Sequence, residues 1–162
     1  MKSLRLLFIA ALMMLYSSAS AQSNIQKDCQ ELVDRMILYA MSYINTPYVW
    51  AADGPSAFDC SGYVRHVYAY AGVNLPRNSR QQSKEGEMVP FLSIRKGDLV
   101  FFVSNPEREI SHVGIAITDS DTNGNFSFIH ANHGAGRVSI SQFSEPYFQT
   151  HYGGSRRIIS CE

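Results

Sequence analysis

Charge and cysteine are both scarce in this chain of 162 residues, and no apolar run is long. Fourteen basic residues balance 14 acidic ones, with none of the basic patches or stripes that a nucleic-acid partner asks for. The longest apolar stretch, Leu6 to Tyr16, falls short of the roughly 20 residues that span a bilayer comfortably. There are no repeats, low-complexity tracts or internal linkers, so one domain is expected. No HExxH run is present, and no cysteine stands where a bacterial lipoprotein would carry its lipid.

What is present begins with the leader. Lys2 and Arg5 precede the apolar run, and Ala19-Ser20-Ala21 has the small-x-small form of a signal-peptidase site. Residues 1–21 therefore read as a cleaved secretory signal and 22–162 as a single exported domain, periplasmic or extracellular, with no membrane association after cleavage. Cleavage removes two basic residues and no acidic ones, leaving the domain mildly acidic.

The three cysteines are Cys29, Cys60 and Cys161. In an oxidising compartment an odd count leaves one thiol over. Cys29 lies near the start of the processed chain and Cys161 is penultimate. Domain termini often lie close together, so one arrangement staples the ends through this pair. Cys60 is then free by subtraction. Spacing alone does not decide it.

Apolar residues at helical spacing predict a helix from Asp28 to Ile44, broken by Pro47. Tyr48 to Trp50 reads as a short extended piece before a turn at Asp53-Gly54-Pro55. A second helix follows, with Asp59 as N-cap, Val64, Val67, Tyr68 and Ala71 as its apolar stripe, and Gly72 at its end. Short β-branched and aromatic runs come next, at 98–103, 112–118, 126–130, 137–141 and 155–159. Helices first and antiparallel strands afterwards make an α+β domain.

Cys60 opens the second helix. Unpaired N–H groups and the helix dipole favour an anion there, and such positions can depress a cysteine pKa. A buried structural cysteine is the plain alternative. The reactive reading needs a base. Among five histidines, His66, His133 and His151 read as structural, surface or cleft-rim residues, whereas His112 and His130 form a pair. The segment DSDTNGN between their strands reads as a hairpin turn. A hairpin symmetric about position 122 makes them diagonal neighbours on one face, within reach through their rings. A one-residue slip would separate them. The arrangement suits a base and the group that orients it.

Six segments in order then match a known pattern: TPYVW at 46–50, FDCSGYV at 58–64, LPRNSRQQ at 75–82, KGDLVFF at 96–102, SHVGIA at 111–116 and FIHA at 128–131. With these the chain resembles the NlpC-type cysteine peptidases of bacterial cell walls, a branch of the papain-like superfamily. The papain-type local signature itself is absent. The resemblance implies a papain-like α+β fold, with the nucleophile at a helix N-terminus packed on an antiparallel sheet. It implies Cys60 as nucleophile, His112 as general base and then acid, and His130 as the polar residue that fixes the His112 ring. Tyr48 and the Cys60 backbone N–H become oxyanion donors, and Asp59, Ser61 and Ser111 become cleft residues that bind substrate. No metal or cofactor is implied, and a monomer is expected.

The implied reaction is hydrolysis of an amide in peptidoglycan stem peptides. The bond most often cut joins γ-D-glutamate to meso-diaminopimelate or lysine; a D-alanyl cross-link is a further possibility. The chain departs from the family at Ala51 and Ala52, where two glycines usually follow the tryptophan. Because alanine disfavours positive φ, the loop beside Tyr48 is expected to take another path. Two other readings are a non-catalytic wall-binding module on the same scaffold and a zinc amidase using His112, His130 and His133.

Overall fold

A computed structural model describes residues 2–104 and 109–161, with side chains from residue 22 onward. The side chains of the leader lie outside the described residues. The chain divides into two compact units. The first holds the residues up to Leu32 together with Ser160 and Cys161. Within it a disulfide joins Cys29 to Cys161, their Cα atoms 5.5 Å apart.

The second unit, residues 33–159, carries the α+β domain. Helix α1 spans Lys2–Met41, and its last turns contribute the buried Val33, Met36, Ile37 and Ala40. It stops short of the expected Ile44, and Pro47 is not what ends it. Tyr43 and Ile44 donate to Ala40 and Met41, tightening the last turn, and Asn45 takes φ 72 to redirect the chain. Helix α2 is Cys60–Tyr70, and its Val64, Val67 and Tyr68 are fully buried as the stripe predicts. A short helix α3, Ser79–Gln82, follows. Burial of such a valine stabilises by about 1.5–3 kcal/mol.

Six antiparallel strands form one sheet in the order β1-β6-β2-β3-β4-β5: β1 Glu87–Met88, β2 Leu99–Val103, β3 Ile110–Ala116, β4 Ser127–Asn132, β5 Arg137–Gln142 and β6 Tyr152–Arg157. A helix α4, Pro146–His151, precedes β6. All five residues of β2 are buried because both faces of the sheet are covered. Leu99 and Phe101 pack with α1 and α2, whereas Val100 and Phe102 pack with Phe128 and Phe148 on the other side.

Two close approaches shape the region around Cys60. A Cβ on Gly62 would lie 2.4 Å from the Ala52 carbonyl oxygen, so only glycine lets the 51–53 loop seat against the first turn of α2. A Cβ on Gly114 would lie 2.8 Å from the Phe128 ring, so glycine lets β3 and β4 close. Ala51 itself adopts φ 63, the left-handed conformation a glycine would take freely. The loop is anchored hard enough to impose it: Asp59 N–H and Arg77 both donate to Ala52 O, at 2.9 and 3.2 Å. A left-handed alanine costs about 1–2 kcal/mol. Ala51→Gly is expected to raise the urea midpoint by about 1 kcal/mol of stability at unchanged slope; a lowered midpoint would contradict this.

Candidate active site

Asp59 caps α2, accepting the Gly62 N–H at 2.7 Å, and this fixes Cys60 as the first helical residue. Cys60 is the free cysteine, not cross-linked, and it is buried with 8% exposure. Its Sγ donates weakly to the Ser111 carbonyl at 3.9 Å. The thiol therefore touches the backbone on one side of His112, and the Val113 N–H faces it from the other.

Strands β3 and β4 pair over a short stretch beyond this contact. Their pairing is Ile115 with Ile129 and Ala116 with Phe128, which is the register of a hairpin symmetric about 122. The turn is held by Asp121, whose side chain accepts the N–H groups of Asn123 and Asn125 at 2.8 Å each. Nearer the start of β3 the strands separate, and Cys60 reaches β3 there from the α1/α2 face. The two histidine rings pack on aromatic side chains, His112 against Phe102 and His130 against Phe128 and Phe148. His112 Nε2 meets His130 Nδ1 at 2.7 Å, and His130 Nε2 meets Ser141 Oγ at 3.1 Å.

That chain assigns protons. If His112 Nδ1 is to carry a lone pair, Nε2 must donate to His130, and His130 must then donate to Ser141. Ser141 was not foreseen. His130 lies opposite Ser139 in the β4–β5 ladder, so Ser141 is its diagonal neighbour, a relation visible only once that register is known. Among the described residues, no group of three histidine, cysteine or acidic side chains is disposed to hold a metal ion.

The electrostatics differ from the expectation for a helix start. Burial raises the Cys60 pKa, and the nearby Asp59 charge raises it further. The N–H groups of Val113, Ser61 and Cys60 pull it down without prevailing. His112 is lowered to about 4, first by burial and then by the charge on His133. His130 lies well below the ordinary imidazole value, through burial and then through His112. These shifts favour a neutral thiol at Cys60 and a neutral ring at His112. In the unfolded chain both histidines titrate near 6.5. Groups depressed on folding stabilise fully above the unfolded value and lose that contribution as pH falls toward the folded one. The melting temperature is therefore expected to drop between pH 6.5 and 5, before carboxylates titrate, and His130→Gln should flatten the drop. A melting temperature constant over that window would contradict two histidines held neutral by the fold.

Around these groups the other expected residues are brought together. Tyr48 is half-buried, and its pKa is raised by burial and then by the Cys60 and Asp59 charges, so its hydroxyl keeps its proton. Asp59 is buried and held by Arg77 through two hydrogen bonds, at 3.0 and 2.7 Å, and Ser61 donates to the same carboxylate at 3.2 Å. Arg77 stands in the LPRNSRQQ segment, but nothing in the segment alone assigned it to Asp59. Ser111 offers its carbonyl to the thiol and leaves its side chain exposed. His66 hydrogen-bonds Tyr39 and Tyr43 at 2.9 Å each, away from Cys60, and His151 caps α4 through the Tyr147 carbonyl. His133 makes an edge contact with the Tyr48 ring at 5.1 Å.

The NlpC/P60 family pattern matches residues 45–157. The chain belongs to this family. Gamma-D-glutamyl-L-lysine dipeptidyl-peptidase of Bacillus cereus is 32% identical over 127 residues, 78% of this chain and 36% of that protein. Murein DD-endopeptidase MepH of Escherichia coli is 29% identical over 143 residues, 86% of this chain and 49% of that protein. The crystal structure of a Bacillus cereus NlpC/P60 protein superposes with a TM-score of 0.71 at 30% identity, covering 79% of this chain and 40% of that one. The chain thus spans well under two thirds of the curated relatives it matches. Among the described residues no helix is long and apolar enough to cross a membrane.

Proposed function

We propose that this NlpC/P60 protein is a cysteine peptidase that hydrolyses an amide bond in peptidoglycan stem peptides, foremost the γ-D-glutamyl–diamino acid bond. The observation that carries the reading is a free thiol at a helix start, in contact with the backbone that flanks His112, while a buried histidine and a serine orient the His112 ring.

In this reading Cys60 passes its proton to His112 Nδ1 and attacks the carbonyl carbon. The oxyanion takes hydrogen bonds from the Tyr48 hydroxyl and the Cys60 N–H, one of the orphan donors at the start of α2. His112 then protonates the leaving amine, a thioester forms, and water deprotonated by His112 releases the acid. Tyr48→Phe removes one oxyanion donor but keeps the ring packing. It is expected to lower kcat by about 10²–10³ with little change in KM. A kcat within threefold of wild type would remove Tyr48 from the oxyanion site.

The leader supports export. We infer that residues 1–21 are removed and that the processed chain works in the periplasm or outside the cell, where its substrate lies. Digestion of defined muropeptides, with products identified by mass, tests the reaction and the bond. Release of L-Ala-γ-D-Glu is expected. Fragments cut at a D-alanyl cross-link would move the assignment to the activity named for the Escherichia coli relative. Retention of wall fragments without any product would leave only a binding module.

A further inference from the structure

A cavity of about 410 Å³ opens against His112 and His130. Its remaining walls are Asn132, His133 and Gly134, at the β4–β5 turn, and Tyr147 and Phe148 of α4. The proposed reaction gives this location a meaning. The acyl half of the substrate is bonded to Cys60 Sγ, with its oxygen on Tyr48 and the Cys60 N–H. The amine half leaves with a proton from His112 and must lie against that ring. A cavity bounded by His112 is where the leaving half extends.

Several polar groups lining it can donate to a ligand. Asn132 spends its Oδ1 on the Ala135 N–H at 3.1 Å, which fixes the amide and leaves Nδ2 as the free end. His133 is exposed beside Tyr48. Tyr147 stacks on His151 at 4.3 Å and is 62% exposed, so its hydroxyl can turn to a ligand. No acidic residue is among the described lining residues. Glu145, the acid nearest to Tyr147 in the chain, accepts the Gln142 N–H at 2.9 Å. Phe148 supplies an apolar floor. Such a site offers hydrogen-bond donors to a carboxylate at the end of an apolar stem.

We propose that this cavity receives the side chain of the leaving diamino acid, and that His133, helped by Asn132, reads a terminal carboxylate there, so that stem peptides with diaminopimelate are preferred over those with lysine. This rests on the peptidase reading above. Both side chains reach an amino-bearing carbon after three methylenes; in diaminopimelate that carbon also carries a carboxylate, which lysine lacks. The imidazole of His133 is not needed to hold the turn, which is closed through backbone groups of His133 and Gly136 and through the Asn132 side chain.

The test uses the purified chain and three tripeptides, L-Ala-γ-D-Glu-X, with X as meso-diaminopimelate, its side-chain carboxamide, or L-lysine. For wild type, kcat/KM is expected to be about tenfold or more higher on the diaminopimelate peptide, the scale of a charge-assisted hydrogen bond, with the carboxamide falling to the lysine level. His133→Ala should collapse this ratio to within about threefold, chiefly through KM, and His133→Gln should restore part of it. Equal kcat/KM on all three peptides for wild type overturns the inference while leaving the peptidase reading intact. So does a His133→Ala loss of the same factor on each peptide, which marks a merely structural role. No cleavage of any of the three overturns both.

Discussion

Cys60→Ala is expected to abolish hydrolysis while leaving the fold unchanged. The sulfur makes one weak hydrogen bond, to the Ser111 carbonyl at 3.9 Å, and alanine has high helix propensity at a position where the cap is supplied by Asp59. Little stability therefore rests on the thiol. Everything chemical does, because no other described thiol is free. Replacing a nucleophile that acts as part of a unit typically costs on the order of 10⁶ in kcat, the residue being what substrate binding and the oxyanion site achieve alone. Turnover by Cys60→Ala within a hundredfold of wild type, at unchanged melting temperature, would contradict the assignment.

The second large effect is expected at His112. A thiol whose pKa is raised by burial and by Asp59 is scarcely ionised at neutral pH. In the proposed mechanism the helix start supplies no standing thiolate, and the proton goes to His112 at the moment of attack. His112 can accept it because burial holds the ring neutral, with a pKa lowered to about 4. His112→Ala is thus expected to cost about 10³–10⁴ in kcat/KM at pH 7. The residual activity should climb with alkaline pH as the thiol ionises by itself. For wild type, the acidic limb of kcat/KM should lie below the ordinary imidazole value of about 6.5, since activity is lost only as His112 protonates. An acidic limb at or above 6.5 would mean that the neutral pair is not the working form.

Much of this was readable from the chain. The N-cap at Asp59 and the apolar stripe of α2 follow from local side-chain chemistry. A hairpin symmetric about 122 is one register the turn allowed, and it is the one observed; with it comes the meeting of His112 and His130. What was not readable depends on packing between distant segments. Ser141 completes the histidine relay through a β4–β5 register that no local signal sets. Arg77 reaches Asp59 across a loop. The last strand begins at Tyr152 instead of Ser155, because a register shift between Phe101 and Phe102 lets β2 pair with the glycine-bearing start of β6. The Ala51 loop shows anchoring outweighing propensity. The Cys60 pKa shows burial outweighing the helix end, a balance that needs the surrounding atoms.

One experiment bears most directly on the proposed chemistry. The purified chain is mixed with a defined muropeptide, quenched within one turnover and weighed intact, with and without prior iodoacetamide or EDTA. A transient adduct on Cys60, with the mass of the acyl half of the peptide, is expected; alkylation should prevent it and EDTA should not. Continued cleavage by a chain fully alkylated at Cys60, or cleavage stopped by EDTA while the thiol stays free, would contradict the account.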